Sequence, residues 1–115
     1  MGCPYEIQDT RGYFYGAFME SAGYPELQDD NLEVAQLELP EEGESRPHFH
    51  EIMTEITYVI SGCLHLVVNG DEIDLSSGQF LIVKPGVVLQ NCSNEPGTSV
   101  LVIKSPSRPD DKHYI

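Results

Sequence analysis

The most constraining stretch of the chain is Pro47-His48-Phe49-His50-Glu51-Ile52-Met53-Thr54-Glu55, followed by Ile56-Thr57-Tyr58-Val59-Ile60 and closed by Ser61-Gly62. The β-branched and aromatic run favours an extended, pleated strand, and Ser-Gly is a turn signal. Residues two apart on a strand share a face, with Cα atoms about 6.5 to 7 Å apart, so the imidazoles of His48 and His50 can converge on one ion. Glu55 adds a carboxylate but has the opposite parity, and one unbroken strand would send it to the other face. A three-ligand site therefore requires a turn or bulge within Glu51–Thr54. The plain alternative is a polar rim on which two histidines and a glutamate sit with no shared ligand.

The rest of the chain reads as short strands and turns. A short strand is expected around Tyr5–Gln8, with a turn at Asp9-Thr10-Arg11-Gly12 and an aromatic strand over Tyr13–Met19. Ser21–Asn31 reads as a loop with one helical turn at Glu26–Asp29. Leu32–Leu39 is a strand whose apolar set shifts near Ala35, through either a bulge or burial on both faces. The acidic run Pro40–Ser45 reads as a solvated loop. Cys63–Val68 is the return strand of a hairpin, and Asn69-Gly70 signals a type I′ turn into the alternating Glu72-Ile73-Asp74-Leu75. Further strands are expected at Gln79–Val83, Val87–Cys92 and Thr98–Lys104, before a Pro- and charge-rich extended tail over 105–115. About eight short strands at close turn spacing, with no long helix, predict an all-β sandwich or barrel in one domain.

Composition excludes several classes of function. The 115 residues suit one compact core, and 19 acidic against 6 basic residues give a formal charge of −13. Such a surface repels phosphate backbones, so neither nucleic acid nor an anionic membrane is an expected partner. No apolar run approaches the roughly 20 residues that span a bilayer. Tyr5–Arg11 is too polar for a signal peptide, and Glu6 stands where a myristoylation start wants Ser or Thr. Three cysteines, Cys3, Cys63 and Cys92, without close pairing point to reduced thiols and a cytoplasmic location. There is no Cys-x-x-Cys, no Gly-rich phosphate loop and no nucleophile elbow. His65, mid-strand between Leu64 and Leu66, reads as a structural or solvent-facing histidine, and His113 as a mobile residue of the tail.

From His48 to Gly62, the spacing His-x-His, four residues, Glu55, six residues, Gly62 resembles the first motif of the cupin family. Gly43 stands one residue closer to His48 than the motif's opening glycine. A second cupin-like frame runs from Gly78 through Gln79–Val83 to Lys84-Pro85-Gly86. There Lys84 replaces the motif's first proline, Leu89 stands where a fourth ligand histidine is expected, and Ser93 replaces an asparagine, with Asn91 and Asn94 close by. The resemblance covers roughly residues 33 to 103. It leaves 1–31 as N-terminal strands and 105–115 as the tail.

The resemblance implies a small jelly-roll barrel with His48, His50 and Glu55 as metal ligands. Two imidazoles and a carboxylate suit Fe(II) with open positions, and equally Mn, Co, Ni or Zn. Gln90 supplies a fourth, oxygen ligand if its strand is displaced by one residue. With Leu89 and Asn91 on the inward parity, Gln90 otherwise points outward. The expected function is a metal-dependent enzyme acting on a small organic molecule, an oxygenase or a related lyase or isomerase. The alternative is a non-catalytic module that binds a metal or a small molecule. With Glu55 inward, Ile56, Tyr58 and Ile60 face outward and need cover, in part from the Tyr13–Met19 strand and for the rest from a second subunit, which predicts a homodimer; the alternative is a monomer in which the N-terminal strands alone bury this face.

Overall fold

The computed structural model describes residues 12–40 and 45–115. The expected strand around Tyr5–Gln8, the turn leading to Gly12, Cys3, Gly43 and most of the acidic Pro40–Ser45 loop lie outside these residues. Ten strands are found among those described: β1 (Gly12–Tyr15), β2 (Glu33–Glu38), β3 (His48–Phe49), β4 (Thr54–Ser61), β5 (Cys63–Val68), β6 (Asp71–Ser76), β7 (Phe80–Val83), β8 (Leu89–Asn94), β9 (Ser99–Ser105) and β10 (His113–Tyr114). Their only helical interruption is a single 3₁₀ turn at Pro25–Leu27.

The strands form two five-stranded sheets in the orders β1-β2-β9-β4-β7 and β10-β3-β8-β5-β6. All pairs are antiparallel. From β2 onward every connection except the β5–β6 hairpin crosses between sheets, which is the jelly-roll pattern. That hairpin turns through Asn69 (φ 49°) and Gly70 (φ 86°), the two positive φ values of a type I′ turn. The Asn69 side-chain oxygen also accepts the Val88 N–H at 2.8 Å, pinning the turn to the start of β8.

The two inner faces meet in a core of Ala35, Val59, Val100 and Val102 from one sheet and Leu64, Leu66 and Leu75 from the other. Each such side chain contributes roughly 1.5 to 3 kcal/mol for the larger residues on burial.

Several expectations change in detail. The aromatic strand ends at Tyr15, because Gly16 adopts φ +145° and the chain turns away. β2 keeps an unbroken register against β9 from Glu33 to Glu38, so its apolar residues are split between two covered faces rather than shifted by a bulge. Ala35 points into the core, and Val34 lies on the opposite face. β8 starts at Leu89, two residues later than expected. The tail returns to the fold: His113 and Tyr114 pair with Phe49 and His48 on β3, and Ser107 and Asp111 are buried. His113 is therefore an ordered strand residue, its ring stacked on Phe49.

Candidate metal centre

His48 and His50 leave β3 on the same side, and both are buried. The chain then bends at Glu51 and Ile52 before β4 begins at Thr54. Three consecutive backbone N–H groups at the bend, from Glu51, Ile52 and Met53, donate to the Asp111 carboxylate at 3.0, 2.8 and 2.9 Å. This bend changes the parity of the strand, and Glu55 enters β4 facing inward, 7% exposed. Thr57 and Val59 follow it into the barrel, while Tyr58 and Ile60 face out.

The ring orientations of both histidines follow from backbone carbonyls. His48 Nδ1 lies 2.8 Å from the Arg46 carbonyl, and His50 Nδ1 lies 2.5 Å from the Asp111 carbonyl. A carbonyl oxygen can only accept, so each Nδ1 carries a proton and each neutral ring keeps its lone pair on Nε2. His50 Nε2 is buried without a hydrogen-bond partner, and it faces Glu55 Oε1 at 3.4 Å. A lone pair directed at a carboxylate at this distance is repulsive unless a proton or a cation lies between them.

The electrostatics follow this geometry. The Glu55 carboxylate raises the His50 pKa above that of an ordinary imidazole, against the effect of burial. Burial lowers that of His48, and the nearby Lys112 ammonium adds to the depression. Burial alone would push the Glu55 carboxyl up, but His50, Lys104 and the Thr57 hydroxyl, which donates to Oε2 at 2.9 Å, outweigh it and hold it down.

Lys104 sits beside Glu55 on β9, and Glu33 flanks it on β2. Its ammonium is 3.7 Å from Glu33 Oε2 and 3.9 Å from Glu55 Oε1, over the face of the Tyr13 ring. Sequence reading missed this row. The signal was available in parity, because Val100, Val102 and Lys104 alternate inward on β9, as do Glu33 and Ala35 on β2. Asp111 carried no such signal, since only the folded chain brings it to the bend.

Between the sheets lies a cavity of roughly 200 Å³ lined by His48, Glu55 and a mostly aliphatic wall that includes Leu89. His50 faces an adjoining cavity of roughly 310 Å³, with Met53, Phe18 and Glu33. Tyr13, Lys104 and Lys112 line both. Leu89 pairs directly with His48 across the β3–β8 ladder. Asn91 lines the first cavity with its Oδ1 unpartnered, while Gln90 lies between Leu89 and Asn91 on β8 and pairs with Val67.

The ligand atoms of His48, His50 and Glu55 do not all lie within 4.8 Å of one another. Two other groups are that compact among the described residues: Cys63, His65 and Glu95, and Glu51, Asp111 and His113. In the second, Asp111 already accepts three backbone N–H groups and contacts His113 Nε2 at 3.1 Å. In the first, His65 is paired with Asp74 at 2.5 Å on the partly exposed outer face of β5.

Among the described residues, ten antiparallel strands in jelly-roll order with a His-x-His pair facing the space between the sheets define a small β-barrel protein of the cupin type. The family model for the cupin domain matches residues 35–103, and the chain belongs to the cupin family. Among solved structures, it is similar to KdgF from a Halomonas species, with a TM-score of 0.65 and 25% identity over 70% of this chain and 74% of that one. An RmlC-like cupin from Shewanella frigidimarina gives a TM-score of 0.59 and 26% identity over 70% and 71% of the two chains. Streptomyces Pac13, described as a nucleoside dehydratase and solved with uridine, gives 0.61 and 16% identity over 76% and 70%, a likeness of fold alone. A search of curated protein sequences finds no match.

Proposed function

We propose that this protein is a metal-dependent cupin acting on a small organic molecule, with His48, His50 and Glu55 holding a divalent ion (Fe, Mn, Ni, Co or Zn). The observation that carries this reading is the buried Nε2 of His50, aimed at the Glu55 carboxylate 3.4 Å away with its ring held by the Asp111 carbonyl. That is the donor arrangement of a metal-ligating histidine, whose other ring nitrogen is oriented by a carbonyl. His48 is oriented in the same way by the Arg46 carbonyl.

A bound ion would act as a Lewis acid or redox centre at the barrel mouth. The chain's own groups then have distinct tasks. Thr57 and Lys104 orient Glu55 and balance its charge. The aliphatic wall keeps water from the reacting molecule, and Leu89, where a fourth ligand would stand, leaves coordination positions to substrate or water. Glu33 and Lys104 supply a proton donor and acceptor pair at the site's edge, with Ser107 donating to Glu33 Oε1 at 3.1 Å. This suits an oxygenase or a related lyase or isomerase, in which protons move at a carbon near the ion. Pac13, a nucleoside dehydratase on a similar fold, supports a barrel that can handle small molecules.

Leu89 also favours a second reading, a binding module without turnover. Elemental analysis of protein purified without a metal-affinity step tests the metal reading. About one divalent ion per chain is expected in the wild type and far less in His50→Ala. Equal content in the two would sink it. Oxygen uptake and substrate loss by the loaded protein then separate enzyme from module.

A further inference from the structure

Of the chain's three lysines, two point into the same site although the molecule carries a net charge of −13. They differ in state. Lys104 is largely buried and engaged by Glu33 and Glu55. Lys112, on the tail just before β10, lines both cavities, and among the described residues its ammonium has no carboxylate within ion-pair distance. The ammonium lies over the Tyr114 ring, 5.5 Å from its centre.

The charge balance of the site gives this a consequence. The carboxylates of Glu33 and Glu55 cancel the ammonium groups of Lys104 and Lys112, and His48 and His50 are neutral as ligands. A divalent ion would therefore leave its own double charge uncompensated. Such a local field, inside a low-dielectric wall of Leu37, Leu64, Leu66, Leu81 and Val100, selects an anion with an apolar body. A phosphate or a sugar would leave these aliphatic surfaces unfilled, and a neutral hydrocarbon would leave Lys112 without a partner.

We infer that the substrate is a small organic acid whose carboxylate is received by Lys112 at the barrel mouth and whose apolar portion enters the Leu-lined cavity beside His48 and Glu55. The inference rests on the metal-dependent reading above and specifies its substrate class. Lys112 is a binding residue here. Exposed at the rim, it can be replaced without disturbing the core.

The test compares acids with their isosteric primary amides: acetate, hexanoate, benzoate and phenylacetate, each titrated by ligand-observed NMR into Zn(II)-loaded full-length chain. At least one acid is expected to bind about tenfold or more tighter than its amide, the size of a charge-assisted contact. Lys112→Met is expected to lower that ratio about fivefold or more, the remainder being due to the ion's own charge, and Lys112→Arg to restore most of it. Zinc per chain, measured on the same samples, should be unchanged in both variants. No acid preferred over its amide, or a preference left undiminished by Lys112→Met, overturns the inference. If the wild type takes up no zinc, the metal reading fails separately. An acid preference in metal-free protein that Lys112→Met abolishes then still upholds the role of Lys112, and its absence overturns that role too.

Discussion

Asp111 acts through two different groups. Its carboxylate accepts the three N–H groups of the 51–53 bend, and its carbonyl fixes the His50 ring. Burial opposes ionisation, but these backbone donors and His113 outweigh it and hold the carboxyl at about 2, against 3.8 for a free group. A depressed carboxylate stabilises the fold fully above its unfolded pKa, and that contribution is lost as pH falls toward the folded value. Acid unfolding should therefore steepen between about pH 4 and pH 2, with on the order of 1 to 2 kcal/mol traceable to this group. Asp111→Asn should remove that part of the profile and cost about 1 to 3 kcal/mol at neutral pH, because its amide would face an N–H donor. Urea titrations from pH 2 to pH 7 check both expectations; an unchanged acid limb would refute them. At Gly62, φ is +84°, and an added Cβ would lie 2.6 Å from the Thr98 Cα. Thr98 is itself buried, its hydroxyl 2.6 Å from the Glu95 carbonyl, and cannot yield. Gly62→Ala should cost about 3 kcal/mol or more, read as a lower urea midpoint.

At the scale of elements, the outer face of the β4–β7 pair is apolar and open. Tyr58 and Ile60 are 40% and 42% exposed, and Phe80 and Ile82 are 58% and 48% exposed. Ile56 pairs with Ile82 and Tyr58 with Phe80, so the patch is continuous across the two strands. The N-terminal strand β1 pairs on the far edge of the sheet and does not cover it. A two-fold contact between copies would bury this patch, and the expected assembly is a homodimer. Light scattering at micromolar concentration should give about twice the chain mass of 12.8 kDa. Tyr58→Lys or Phe80→Lys should give monomers that remain folded, since these side chains lie outside the core; a monomeric wild type would refute the dimer. On β8, Leu89 faces His48 across the ladder. Leu89→His should raise metal affinity by roughly tenfold or more if an ion is held there. Unchanged affinity would place the ion elsewhere.

For the molecule as a whole, metal binding and folding should be coupled. An ion that binds only the native state at a hundredfold excess over its Kd stabilises by about 2.7 kcal/mol, on the order of 10 °C in Tm for a chain of this size. Wild-type protein should show this shift on Zn(II) or Mn(II) addition and lose it with EDTA, while His50→Ala should show little. Equal shifts in the two proteins would mean that the ion uses one of the surface clusters near His65 or His113.

The local pattern of this chain determined a good deal. Strand formers, turn residues and the His-x-His spacing point to an antiparallel barrel, and the odd separation of Glu55 from His50 demands a break in the strand near residues 51–54. These are properties of neighbouring residues, where period-two alternation and turn chemistry act. What holds that break is Asp111, 58 to 60 residues away from the N–H groups it accepts. The cations at the site are equally remote: Lys104 reaches Glu55 through strand register, and Lys112 reaches the cavity through the pairing of the tail with β3. Periodicity made the inward placing of Glu55 conditional on that break, and only the tertiary structure decided which way it faces and which charges stand beside it. Buried charge is stabilised by partners brought together across sheets, and the sequence order of those partners carries no record of their distance.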